Sequence, residues 1–517
     1  MAEAVIEERH LLKTLRWYDG FVIALANPGF LLGSLGFSVL DLGGWGALLL
    51  WGIAAGIAVL LMTIYSEMAA MFPDKNGMAL YATEGWRKYS TLVGPVATFG
   101  YWIGWSVVLA FNGIFMGQIF TGAFFGGEKY GSPIDDGYFS TGGANIGLPH
   151  IVAIVMILAV WIFNVYGARV GVAFGYLAGA LLMVPLFIMM FVPFITGDWT
   201  SANFAHDLTD DAGNVIGQTD GFGLNDGGLP WGGLQLALVW LWLMSWSAWG
   251  VDTTATFAPE YKDTVRDTKL ALRSAALFSL VVYTVLPLGF VGGAGENAIL
   301  AYDYVGGLNT IVGSDSAAKF FSVCIIASFV ITMNTATADG GRALFGVARA
   351  GLSIKELQRL NRFHVPGVAM TLDMIVNILF VLFIGNIFGI LAASNLGYVA
   401  CHAFALSAFI LLRKDRPNWP RPIKLPSFWV PIAGLLCAYT LLLTVVGFGW
   451  FQNAAGGYGG TKEKVIGLGV LGASIILFLF RRIVQDREMP HWREETPTEP
   501  EPGYFAAHGI TVPSRAR

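Results

Sequence analysis

The feature that most constrains this chain is the recurrence of long apolar runs from near residue 17 to near residue 483. Each run is about 18 to 25 residues with few charges, the length a helix needs to cross the hydrocarbon core of a bilayer. Twelve are readable, at about 17–40, 45–71, 93–125, 149–167, 170–195, 231–257, 270–293, 317–347, 366–385, 387–411, 428–450 and 464–483. A soluble chain of 517 residues would divide into several domains with charged surfaces, yet here only 13% of residues are charged and 55% are hydrophobic. The expected fold class is therefore all-α and integral to the membrane, with about twelve transmembrane helices. The 65 glycines suit it, since small residues let helices approach closely in lipid.

Charge tests this count independently. If the N-terminus is cytoplasmic, 27 of the 31 Lys and Arg fall in inside segments, leaving Lys129, Lys319, Lys462 and Lys464 outside. A missed span would scramble that bias, so a multi-pass protein of the cell membrane with both termini cytoplasmic is expected. The first residues lack a basic start followed by a short apolar core, so the first span is expected to act as its own insertion signal. The net charge of −4 gives no reason to expect nucleic acid as a partner. Cys324, Cys401 and Cys437 lie far apart within apolar runs and read as buried thiols, not as metal ligands or a disulfide framework.

The longest outside loop, about 197–230, has no Lys or Arg but holds Asp198, Asp207, Asp210, Asp211, Asp220 and Asp226. It reads as a solvated loop, with attraction of cations as the functional alternative. The layout expected is a cytoplasmic segment 1–16, a membrane domain 17–485 and a tail 486–517. The tail's Pro- and Glu-rich stretch Glu494–Pro502 points to disorder.

Two spans are interrupted where regular helix would be the default. Span 1 contains Asn27-Pro28-Gly29-Phe30-Leu31-Leu32-Gly33-Ser34-Leu35-Gly36, and span 6 contains Trp246-Ser247-Ala248-Trp249-Gly250-Val251-Asp252. Irregular backbone at membrane depth is tolerated only where it lines a cavity or is buried in protein. Such segments at matching positions in two five-span halves point to a transporter site. Unwinding span 1 near Gly33 and Ser34 would free amide N–H groups for a carboxylate, and unwinding span 6 over Ser247 to Gly250 would free carbonyls for an ammonium. The pair would clamp a zwitterion mostly with backbone.

These motifs resemble the amino acid–polyamine–organocation superfamily, over roughly residues 15–485. Gly29-Phe30-Leu31-Leu32-Gly33-Ser34-Leu35 is similar to its G-x-x-x-G-S-G stretch, with Leu35 in place of the last glycine. Tyr65-Ser66-Glu67 with Pro73, Gly77 and Tyr81, Asn164 with Gly167, Gly250-Val251-Asp252, Glu260 with Lys262 and Arg266, Asn334 with Gly341-Arg342, and Arg421-Pro422-Ile423-Lys424-Leu425-Pro426 follow in family order. The resemblance implies a LeuT-type fold: two inverted five-helix repeats, here about 17–195 and 231–411, plus two C-terminal helices at about 428–483, with helices 1 and 6 broken. It implies that Leu31, Ser34 and Leu35 from span 1, and Trp246, Ala248 and Trp249 from span 6, meet the substrate, with Trp246 as an aromatic gate; Gly33, Gly250 and Asp252 join them as candidate site residues from the interruptions themselves. The Lys that many members carry in span 5 is absent from Gly175–Pro185. Exchange, facilitated passage, or H+ or Na+ coupling stay open, with a sodium site near Ser328 and Thr332 as one option.

Ionisable residues at membrane depth are costly and invite a functional reading. Asp252 either pairs with a cationic substrate, carries a coupling proton, or holds the unwound segment. Glu67, Asp339 with Arg342, and Asp373 lie near the cytoplasmic ends, where pairing or snorkelling suffices. His402 reads as a core histidine or a proton relay, and Asn112 as a substrate contact or a helix–helix hydrogen bond. No HExxH, P-loop or paired Cys motif points to an enzyme or a cofactor. The function expected is secondary transport of an amino acid by alternating access, or of an amine or polyamine on the same fold, with membrane lipid around it.

Overall fold

The computed structural model describes residues 11–25, 27–125, 138–141, 145–205, 207–209, 215–218, 221–222, 230–300, 304–384, 387–454, 460–508 and 510. Asp210, Asp211, Asp220 and Asp226 lie outside the described residues. Among the described residues ten helices are long and apolar enough to cross a membrane; the first, Trp17–Met71, holds two runs, and Gly367–Phe383 is a shorter apolar helix. All twelve expected runs are thus helical.

Span 1 is two pieces, Trp17–Ala24 and the start of Asn27–Met71. Gly43, at φ 70 and ψ 165, turns the chain between spans 1 and 2, a conformation that a side chain disfavours. Span 3 runs as Val93–Ser106 and Val108–Phe125, span 4 as Leu148–Val165 and span 5 as Ala168–Thr196. Span 6 is Gly233–Ala248 followed by short helical pieces to Glu260, and span 7 is Thr264–Ala294. Spans 8 to 12 are Asp315–Arg349, Gly367–Phe383, Ile387–Asp415, Trp429–Ala454 and Thr461–Phe480. Among the described residues, strand content is confined to two small hairpins in the loops after spans 3 and 5.

The packing repeats between the halves. Spans 1 and 2 lie against 6 and 7, span 3 packs on 4, span 8 on 9, and span 4 meets span 9. Burial sorts centre from rim: 89% of the most apolar stretch of span 6 is buried, against 17% for span 12. Span 11 faces outward with Leu435 and Val445, and span 12 with Val465 and Ile476, the apolar exposure that lipid would cover.

The tail departs from the expected disorder. It lies across the loop after span 2 and the start of span 3. Thr91 N–H donates to the Trp492 carbonyl at 3.0 Å, Arg87 pairs with Glu494 at 2.6 Å, and the Tyr504 hydroxyl donates to Asp74. Tyr504 meets the Trp419 ring edge-on at 6.1 Å, and Phe505 is only 6% exposed. Two adjacent aromatics supply apolar burial that the Pro- and Glu-rich composition hides, and Glu494 finds a basic partner only in the folded chain.

Candidate functional site

Span 1 breaks where the chain reaches Asn27-Pro28. The first piece ends at Ala24, and Leu25 closes it with its N–H on the Val22 carbonyl at 3.1 Å. Pro28 lacks an N–H and suits the first turn of a new helix, so the second piece starts at Asn27. This corrects the expected unwinding near Gly33 and Ser34: both lie inside regular helix, and the Ser34 hydroxyl donates to the Phe30 carbonyl at 2.9 Å. Leu31 and Leu35 are fully buried. The freed Ile23 carbonyl accepts the Thr335 hydroxyl of span 8 at 3.1 Å, a contact that no local motif announces.

Span 8 closes on this break. A Cβ added at Gly29 would lie 2.5 Å from Thr332 Oγ1 and 3.2 Å from the Ser328 carbonyl, so the helices touch there. Ser328 and Thr332 therefore do stand at the span-1 break. Their hydroxyls turn onto their own helix, Ser328 to Ile325 at 2.6 Å and Thr332 to Ser328 at 2.7 Å.

In span 6 the α-helix ends at Ala248 and tightens to 3₁₀ geometry over Gly250–Asp252. A 3₁₀ stretch within a helix swaps its carbonyl partners and often marks a hinge. This shifts the expected unwinding over Ser247 to Gly250: Ser247 and Ala248 remain in regular helix, and the irregularity begins after them as a tightening and not as an open strand. Trp246 donates its indole N–H to the Gly104 carbonyl of span 3 at 2.7 Å, and its ring lies 4.8 Å from Phe30 and 5.6 Å from Phe111. Phe30 also meets Trp105 at 5.6 Å, so four aromatics from three spans close one box. Gly33 borders it, since a Cβ there would reach Phe111 at 3.1 Å. Trp249 points elsewhere, its indole bonded to the Ala54 carbonyl at 3.1 Å. Asn112, next to Phe111, is fully buried with neither amide atom hydrogen-bonded.

Asp252 anchors a second, polar cluster. Its Oδ2 accepts the Tyr398 hydroxyl at 3.0 Å and lies 3.4 Å from His402 Nε2, while Tyr65 meets His402 Nδ1 at 2.7 Å. Tyr101 joins Thr256 to Asp339, at 3.1 Å each. His402 thus sits against Asp252 and Tyr65 and not in an apolar core. Tyr101 and Tyr398 carry no signal in the sequence that sets them apart from other membrane tyrosines; only Tyr65 falls in a motif.

Towards the face with the termini, the charges pair differently from expectation. Arg342 forks onto Glu260 of span 6, with Nη2 at 3.0 Å from Oε2, and not onto Asp339, whose partner is Tyr101. Sequence spacing suggested the neighbour three positions away, whereas the guanidinium reaches across helices. Leu15 bonds through its backbone to Glu260 and Lys262, strapping the N-terminal segment to the end of span 6. Glu67 is held by Arg413 at 2.5 Å and Arg421 at 3.1 Å, and Asp373 accepts the Trp102 indole at 2.8 Å.

A bundle whose first and sixth spans are interrupted around an aromatic cluster has the layout of a membrane carrier for a small solute. The chain belongs to the amino acid permease family: the family's sequence model, described as amino acid permease, matches residues 17–476, all twelve spans but for the end of the last.

Proposed function

We propose that this protein is a secondary active transporter that moves an amino acid across the cell membrane by alternating access, with both termini cytoplasmic. The observation that carries this reading is the meeting of the two interrupted spans at Phe30 and Trp246, 4.8 Å apart, with the uncommitted amide of Asn112 one residue along the chain from Phe111. The amides of Gly29 and Phe30 open the second piece of span 1, where the helix dipole favours a substrate carboxylate. Opening the 3₁₀ turn, whose N–H groups occupy the Ser247, Trp249 and Gly250 carbonyls, presents the carbonyls of Ser247 to Gly250 to the ammonium. Leu31, Gly33, Ser34 and Leu35 continue the wall on one side, and Ala248 and Gly250 on the other, while Trp249 is turned onto Ala54 of span 2 and Asp252 onto Tyr398. Trp246 is the gate: rotating it away from the Gly104 carbonyl opens the box to one side. Ser328 and Thr332, at the span-1 break, are where a coupling Na+ would sit if one is used.

The second reading, a carrier of amines without a carboxylate, draws on the Asp252 carboxyl, which has no Lys or Arg against it. One screen separates the two. Purified protein is heated with each of the twenty amino acids and with their decarboxylated amines. A ligand at a hundred times its Kd should stabilise by about 2.7 kcal/mol. Stabilisation by an amino acid and not by its amine supports the zwitterion clamp; the reverse selects the amine reading, and no stabilisation by either counts against both. Gly33→Leu drives a side chain into Phe111 and should remove binding from a folded protein.

A further inference from the structure

We propose that the docked tail is an autoinhibitory strap: it holds the first piece of span 1 closed, and its release sets how often the protein opens on that side. This rests on the transport reading above and adds what regulates it.

The tail bridges two groups of helices. Spans 1 and 2 lie against 6 and 7, while span 3 packs on 4 and span 8 on 9. On the second group the tail is anchored twice. The Thr91 hydroxyl, at the start of span 3, donates to the His491 carbonyl at 2.7 Å, and Lys355, after span 8, pairs with Asp486 at 2.9 Å. Further along, the tail reaches the first group. The Tyr504 hydroxyl donates to Asp74, just after span 2, and Lys13, just before span 1, donates to the His508 carbonyl at 2.9 Å. Lys13 also lies 3.4 Å from the Thr264 hydroxyl at the start of span 7. Two residues on, Leu15 donates to the Glu260 carbonyl at 3.0 Å and accepts the Lys262 N–H at 2.8 Å. The N-terminal segment is thus held both by the tail and by the end of span 6.

What the strap closes is visible in the packing. A cavity of about 20 Å³, room for about one water, lies between the first piece of span 1 and span 8, with Val22, Ile23, Ile331, Thr335 and Arg342 in its wall. Arg342 is the residue that forks onto Glu260, whose backbone holds Leu15. A solute the size of an amino acid does not fit such a space. For the site to empty on this side, the first piece of span 1 has to swing away from span 8, and Lys13 and Leu15 travel with it.

The contacts suit a brake and not a permanent lock. Lys13 is exposed, so its bond to the tail exchanges readily with water, whereas Phe505, at 6% exposure, supplies apolar burial that returns the tail to its place. Docking that exists only in the closed state shifts the balance of closed and open states by its own free energy.

The test reads both ends of span 1 in purified protein. Ala338→Cys places a thiol in the wall of the cavity, and Asp41→Cys places one at the opposite end of span 1. Each is followed at its own peptide by mass spectrometry during reaction with a soluble maleimide. Deleting residues 500–517 should raise the rate at position 338 about tenfold, the shift that about 1.4 kcal/mol of lost docking gives, and leave the rate at position 41 unchanged or lower. Lys13→Gln, which cuts one end of the strap and keeps the tail, should move position 338 in the same direction and serves if the shortened chain does not fold. In liposomes, counterflow of a substrate found by the screen above should quicken in both variants. An unchanged rate at position 338 in both variants overturns the proposal. So does an equal rise at positions 338 and 41, which marks general loosening and not a strap. Absence of counterflow for every solute takes down the transport reading, and the two labelling rates still decide whether the tail holds span 1.

Discussion

Asn112 and Arg342 show what single buried polar residues cost and what they do. Asn112 leaves both amide atoms unbonded at full burial, an arrangement that costs about 1–3 kcal/mol. Asn112→Leu should therefore raise the melting temperature while weakening substrate binding at least tenfold; a stabilised variant with unchanged affinity would make Asn112 a structural residue. Arg342 is the opposite case, a charge fully spent on Glu260 with side-chain exposures of 1% and 3%. Arg342→Ala leaves Glu260 buried and alone and should cost about 3–5 kcal/mol, read as a large fall in melting temperature in detergent. The paired Glu260→Gln, Arg342→Gln variant should recover much of that loss. Local sequence made Arg342 visible as a charge at a helix end and Glu260 as a motif residue, but nothing in the sequence paired the two across 82 positions.

At the scale of helices, the crossings matter more than propensities. Spans 3 and 10 meet backbone to backbone at Gly100 and Gly397, where a Cβ on Gly100 would lie 2.5 Å from the Gly397 carbonyl. Gly100→Val must push the helices apart and should cost about 1–3 kcal/mol or more, with a matching drop in thermal stability. Both interruptions were legible from Gly, Pro and Ser at membrane depth. The exact break in span 1 was not, because Gly33-Ser34 and Asn27-Pro28 are each sufficient to start a new helix, and only packing selects between them. Here Thr335 meets the carbonyl freed by the earlier break.

Over the whole molecule, the tail ties the termini face together: Lys13 donates to the His508 carbonyl at 2.9 Å, Tyr504 reaches Asp74, and Glu494 reaches Arg87. Deleting residues 489–517 should lower the melting temperature and expose the loop after span 2 to protease; equal stability with and without the tail would mean that the docking is weak. The docking should also respond to pH. Burial lowers the His508 pKa below its ordinary 6.5, so its contribution is complete above that value and is lost as pH falls beneath it. Burial pushes the Asp74 carboxyl up, but Lys75 and the Tyr504 hydroxyl outweigh it and hold the group below its ordinary 3.8, so that bond persists to lower pH. The stability gap between full-length and truncated protein should therefore narrow on going from about pH 7.5 to about pH 5.5, with His508 as the cause.

The sequence by itself determined membrane residence, the twelve spans and their order, and that spans 1 and 6 are interrupted. These follow from one-dimensional quantities: the length of an apolar run against a bilayer, and the presence of residues that cannot continue a helix. Only the tertiary structure decided where span 1 breaks, that Arg342 holds Glu260, that the tail docks, and that His402, Tyr65 and Tyr398 gather around Asp252. Each of those depends on helices that are far apart in the chain and adjacent in space, and a buried polar group takes whichever partner the packing brings within about 3 Å.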